Sequence, residues 1–249
     1  MFRTRFAKEI VCEFLPPVRP RKKNRVIILC DGMPGIPRKK PLMEFLSRQG
    51  YWVFYPRYRG AWESDGEFLE RSPHEDVLDV VMGLRRPVEE LAFGKKFEVR
   101  PDEVFVIGGS FGGAVALLCS LDSRVKKVVA NCPVMDWTIL KESEKAETNK
   151  PYPAYLREAF GNAYRLKARN WNKLYSGKFF NPTYRADEID ATKVLMFHAK
   201  DDPSVPSWSV EGFAEKTGVK LKLLKRGGHL KTEFIVTKYW WEIERFFGK

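Results

Sequence analysis

Residues 104–113 read Val104-Phe105-Val106-Ile107-Gly108-Gly109-Ser110-Phe111-Gly112-Gly113. The first four are apolar and rich in β-branched residues, the pattern of a short strand covered on both faces. From Ala114 to Leu121 the residues are small, apolar and compatible with a helix. Between the two runs, Gly108-Gly109-Ser110-Phe111-Gly112 fits the pattern G-x-S-x-G. A serine on so tight a strand-to-helix turn sits on strained backbone, with its hydroxyl pushed out above the sheet. Side chains two residues to either side would collide, so both positions call for glycine. The following helix points its positive end at any oxyanion formed there. The flanking strand and helix separate this reading from a glycine-rich turn that merely holds a serine.

Working outward, further strands are expected over Val26–Cys30, Tyr51–Tyr55, Val125–Ala130, 193–198 and Leu221–Leu224, with a strand or hairpin in residues 1–20. Helices are expected over 39–49 and Phe234–Phe247. Another should start at Ser72-Pro73-His74-Glu75, read as a capping box, and run to about Leu91. His74 falls in its first turn and is expected at the surface. Strands alternating with helices imply an α/β fold built on a doubly wound, mostly parallel sheet. The alternation breaks after residue 137. Residues 1–137 and 187–249 are therefore expected to form the core, and 138–186 a helical cap inserted at the end of a strand, where such folds keep their sites. Residues 141–150 are a charge run. Residues 151–185 hold nine aromatics, several at helical spacing (Tyr152/Tyr155, Phe160/Tyr164, Trp171/Tyr175), and seven basic residues against one acidic. Facing the pocket, that charge would draw anionic substrates; facing water, it would only solvate the surface.

Composition narrows the function. With 44% hydrophobic residues in 249, the chain can bury a substantial core. No apolar stretch approaches the ~18 residues of a membrane span, and Met1–Phe6 shows no secretory signal. Cys12, Cys30, Cys119 and Cys132 form no C-x-x-C pair and read as buried free thiols in a reducing, cytoplasmic setting. Three histidines make a histidine-rich metal site improbable. The net charge of +12 raises nucleic-acid binding, but no basic stretch interleaved with stacking aromatics follows a nucleic-acid module. A charged fraction of 31% with Gln49 as the single glutamine leans toward a heat-adapted source.

A serine hydroxyl needs a base, and the base needs a group to orient it. His229 lies in Lys225-Arg226-Gly227-Gly228-His229-Leu230, a glycine-rich loop after the last strand, which reaches the same sheet edge as Ser110. His198 closes an apolar strand and reads as structural. Asp201 and Asp202, just past that strand, both qualify as the acid. An oxyanion hole needs two backbone N–H groups, expected from Phe111 and from Met33 in the loop after Val26–Cys30. No metal or organic cofactor is required.

These stretches together resemble the α/β-hydrolase superfamily, and within it the serine hydrolases of the prolyl oligopeptidase and X-Pro dipeptidyl-peptidase type and their small esterase relatives. Gly108–Gly113 is similar to the nucleophile elbow of that family. Arg59–Phe68 resembles its loop R-G-x-G-x-S-x-G, with Trp62 in place of a glycine. Cys132–Trp137 resembles P-V-x-D-W, and 198–206 resembles H-G-x-x-D-x-x-V-P with Ala199 in place of a glycine. The resemblance spans about residues 25 to 245. It implies Ser110 as nucleophile, His229 as base and Asp202 as the acid. No counterpart of the β-propeller that filters peptides in the large relatives precedes the hydrolase body. The expectation is a serine hydrolase acting on small-molecule esters through an acyl-enzyme, with short peptides or amides as the alternative substrates. A non-catalytic binding module is the third reading, and the presence of all three triad residues speaks against it.

Overall fold

The computed structural model describes residues 1–139 and 151–248; the charge run expected over 141–150 lies outside the described residues. Ten strands form among the described residues. They are β1 (Phe2–Phe6), β2 (Ile10–Leu15), β3 (Arg25–Cys30), β4 (Trp52–Pro56), β5 (Val88–Glu89), β6 (Lys96–Phe97), β7 (Glu103–Gly109), β8 (Lys127–Asn131), β9 (Val194–Ala199) and β10 (Lys220–Leu224). Eight of them build one sheet in the order β1-β2-β4-β3-β7-β8-β9-β10, parallel from β4 to β10, with the β1–β2 hairpin added antiparallel at one edge. The short pair β5–β6 stands apart.

Period-two alternation divides the apolar residues between two cores. Val26, Ile28, Val104 and Val106 point to one face, where they meet helices α2 (Pro73–Gly83), α3 (Phe111–Cys119) and α6 (Ser207–Thr217). Ile27, Leu29, Phe105 and Ile107 point to the other, where they meet α1 (Lys40–Arg48), α7 (Thr232–Lys238) and α8 (Trp240–Phe247). Covered on both sides, β3 and β7 can be continuously apolar, and the observed burial runs unbroken along both. All nine residues of α3 are buried as well, which explains why it shows no polar face.

Four expectations are corrected here. Helix α2 stops at Gly83 rather than near Leu91, because Pro87 cannot continue it and the chain turns into β5. No capping box forms at its start, since the Ser72 hydroxyl bonds Nδ1 of His74 (2.7 Å) rather than the helix backbone. His74 is half-buried rather than a surface residue, and burial pushes its imidazole down to about 4. The closing helix is broken at Tyr239 into α7 and α8, where non-helical backbone sets the ring 5.4 Å from Phe197.

Beyond residue 150 come α4 (Tyr152–Phe160) and α5 (Ala168–Asn172), with 3₁₀ turns at Gly161–Ala163, Lys173–Ser176 and Thr183–Glu188. The three aromatic pairs noted in the sequence are ring contacts of 5.6, 5.8 and 6.4 Å. This segment is stapled to the loop after β4. The Trp62 N–H donates to Ala163 O, Phe68 N–H to Arg165 O, and Arg165 N–H to Gly60 O.

Candidate active site

Ser110 follows β7 at φ 56°, ψ −121°, a backbone state rare for any residue with a side chain. The flanking glycines are required by contact. A Cβ on Gly108 would lie 1.9 Å from Gly112 O, and one on Gly112 would lie 2.3 Å from Cys30 O. The turn therefore closes only without those side chains, and it holds the serine at the mouth of a cavity of about 450 Å³. That cavity is also lined by Met33, Phe111, His229 and the apolar side chains of Val134, Trp137, Tyr152 and Val205.

The loop after β10 brings His229 to the same cavity. Its Nδ1 lies 2.9 Å from Asp202 Oδ2 and 3.1 Å from Oδ1. An ionised carboxylate only accepts, so Nδ1 carries the proton and Nε2 is left as the basic nitrogen. Asp202 Oδ1 also accepts from Ser204 N–H (2.9 Å) and Val205 N–H (3.0 Å). Burial pushes the Asp202 carboxyl up, but the bond from His229 and these backbone donors outweigh it and hold it down to about 2. The thiol of Cys132 lies within 4.8 Å of an Asp202 carboxylate oxygen, a neighbour that no sequence pattern signalled. Burial and the neighbouring carboxylate push that thiol up, so it stays protonated.

Asp201 is built into a different role. Its Oδ1 accepts from Gly227 N–H (2.8 Å) and Gly228 N–H (2.9 Å), which fixes the loop that carries His229. His198 is fully buried, with Nε2 donating to Val205 O (3.1 Å). Cys132, His198 and Asp202 bring three possible metal-ligand atoms within 4.8 Å of one another. The donor set does not suit an ion, because the His198 nitrogen bound to Val205 O carries a proton and Asp202 is committed to His229.

The N–H groups of Met33 and Phe111 donate to no acceptor among the described residues, and both residues line the cavity beside Ser110. The loop holding Met33 is pinned from three sides. Tyr58 donates to Asp31 O (3.0 Å), Trp62 Nε1 to Gly35 O (3.1 Å), and the Tyr164 hydroxyl accepts from Gly35 N–H (3.0 Å). Trp62, the departure from the family loop, thus takes part in holding this loop in place. At the rim, Lys39 bridges Asp31 (3.3 Å) and Glu233 (2.8 Å). Burial pushes its ammonium down, but the two carboxylates overcome that and hold it above its ordinary value.

The model of the prolyl oligopeptidase family matches residues 39–231, which takes in Ser110, Asp202 and His229.

The chain belongs to the prolyl oligopeptidase family.

Solved structures similar to this family member agree on its α/β-hydrolase fold. An acylaminoacyl peptidase in complex with Z-Gly-Gly-Phe-chloromethyl ketone has a TM-score of 0.65 at 18% identity, covering 98% of this chain and 40% of that one. The esterase Pf2001 of Pyrococcus furiosus has a TM-score of 0.67 at 18% identity, over 98% of this chain and 88% of the esterase. Est1E from Butyrivibrio proteoclasticus, with bound ferulic acid, has a TM-score of 0.69 at 17% identity and full coverage of both chains. The chain thus spans less than half the length of the acylaminoacyl peptidase it resembles. Comparison with curated protein sequences gives no match. The chain is a serine hydrolase of this family, and no helix among its described residues is long and apolar enough to cross a membrane.

Proposed function

We propose that this serine hydrolase cleaves carboxylic esters through an acyl-enzyme formed on Ser110. The observation that carries the reading is that Ser110, His229 bonded to Asp202, and Phe111 and Met33, whose N–H groups have no acceptor among the described residues, come together, with Ser110, His229, Phe111 and Met33 lining one cavity. His229 Nε2 takes the Ser110 proton as Oγ attacks the acyl carbon, and returns it to the departing alkoxide. Asp202 fixes the tautomer and stabilises the imidazolium, while the N–H groups of Phe111 and Met33 hold the oxyanion. Water then repeats the sequence to release the acid. Val134, Trp137, Tyr152 and Val205 supply an apolar wall for an acyl or aryl group.

A peptidase is the second reading, favoured by the family and by the acylaminoacyl peptidase neighbour. Ester cleavage is preferred because an aminopeptidase needs a free carboxylate to receive the peptide amine. Asp31 and Glu233, the two acidic residues lining the cavity, are both tied to Lys39.

A fluorophosphonate probe is expected to label the wild type and not Ser110→Ala, which should fold normally and lose turnover of p-nitrophenyl acetate. Retained turnover in Ser110→Ala would refute the assignment.

A further inference from the structure

A second hollow adjoins the cavity at Ser110. It is an open groove of about 650 Å³, and the two hollows share His229, Leu230 and Lys231 as lining residues. Lys225, Arg226, Lys231 and Lys238 line the groove, and none of its lining residues is acidic. Lys225, Arg226 and Lys231 form no ion pair or side-chain hydrogen bond among the described residues. Lys238 lies over the rings of Phe234 (5.0 Å) and Tyr239 (5.5 Å), which give the groove an apolar floor.

The carboxylates nearby are committed elsewhere. Asp201 accepts from the backbone of the loop, Glu233 faces Lys39, and Glu242 pairs with Lys222 (2.6 Å). The basic residues of segment 151–185 contrast with the groove. Lys167 and Arg169 sit on Glu67, Lys173 on backbone carbonyls and Arg185 on Glu188, and none of them lines the Ser110 cavity. With Asp201 the one carboxylate hydrogen-bonded to the backbone of this loop among the described residues, the four cations of the histidine loop and α7 leave the groove net positive.

The chemistry says which part of a substrate would meet it. When Ser110 Oγ bonds the acyl carbon, the bond from that carbon to the alcohol oxygen breaks, and the proton taken from Ser110 passes from His229 to that oxygen. The alcohol oxygen must therefore lie against the imidazole of His229, one of the three residues that the cavity and the groove share. The acyl group has Val134, Trp137 and Tyr152, which line the Ser110 cavity and not the groove.

We infer that the groove binds a carboxylate carried on the alcohol side of the ester, so that the enzyme selects esters whose leaving alcohol is anionic. This rests on the ester reading above.

The test compares pairs of esters that differ only in charge. One pair is the acetates of 3-(4-hydroxyphenyl)propanoate and of its amide, whose phenols have similar acidity. The other is monophenyl adipate and its amide, which place the charge on the acyl side. For the first pair, the acid is expected to exceed the amide about tenfold in kcat/KM at low ionic strength, with the ratio falling toward one as salt is added. For the second pair the ratio should stay near one. The variant Lys225→Gln/Arg226→Gln/Lys231→Gln should bring the first ratio to one; should it fail to fold, each single variant should lower that ratio. A general loss of activity does not move a ratio. A first ratio near one at low salt overturns the inference, as does an equal gain on the acyl side or a gain kept in the variants. Turnover that survives Ser110→Ala would instead overturn the ester reading.

Discussion

At the scale of single residues, the two adjacent aspartates are separated by what each accepts. Asp202 takes the His229 N–H, so Asp202→Asn replaces an obligate acceptor with a group that can present an N–H, and the imidazole loses its tautomer control. Turnover should fall by about four orders of magnitude, as for the corresponding change in chymotrypsin-type triads. Asp201 accepts from Gly227 and Gly228 through one oxygen, which Asn also offers. Asp201→Asn is therefore expected to be mild. Asp201→Ala should loosen the histidine loop and cost roughly tenfold to a hundredfold in kcat; equal rates for the two Asp201 variants would contradict this.

At the scale of elements, the first turn of α2 stores a pH dependence. His74 titrates near 4 in the fold because it is half-buried, against about 6.5 for an unperturbed imidazole. Between these values the unfolded chain binds a proton that the folded chain does not, so stability falls as pH drops from about 6.5 to 4. Above 6.5 both states are neutral and the contribution is fully present. His74→Gln should remove up to about 3 kcal/mol of that acid-side loss. Urea unfolding of both proteins at pH 7 and pH 4.5 measures it, and parallel losses would show that His74 does not titrate as described. The nucleophile elbow behaves differently, since its geometry rests on missing side chains rather than on charge.

At the scale of the whole molecule, the sheet presents its strand ends to one edge, and loops from distant parts of the chain complete the site there. The segment from 151 onward is held on this edge by Trp62, Tyr164 and the cluster of Lys167, Arg169 and Asn170 around Glu67. Glu67→Gln should raise hydrogen exchange across residues 160–173 while leaving β7 protected. Unchanged exchange there would mean that backbone pairing to the 60–68 loop suffices.

The alternation of apolar runs was enough to specify a mostly parallel sheet, because strands buried on both faces must be continuously apolar. The Gly108–Gly112 elbow was equally legible, since its spacing is imposed by contacts within five residues. The pairing of His229 with Asp202 beside Ser110 could be anticipated because the chain holds only three histidines. Local signals misled where a tertiary partner won. Ser72 turns to His74 instead of capping α2, and Pro87 and the β5–β6 pair cut that helix short. The division of labour between Asp201 and Asp202 has no local signature, and neither does the thiol behind Asp202. The placement of the basic residues is of the same kind. Composition showed a positive segment at 151–185, but which cations are neutralised depends on carboxylates and carbonyls far away in sequence. Only the folded chain brings Glu67 to Lys167 and leaves Lys225, Arg226 and Lys231, beside the histidine, without an ion pair among the described residues.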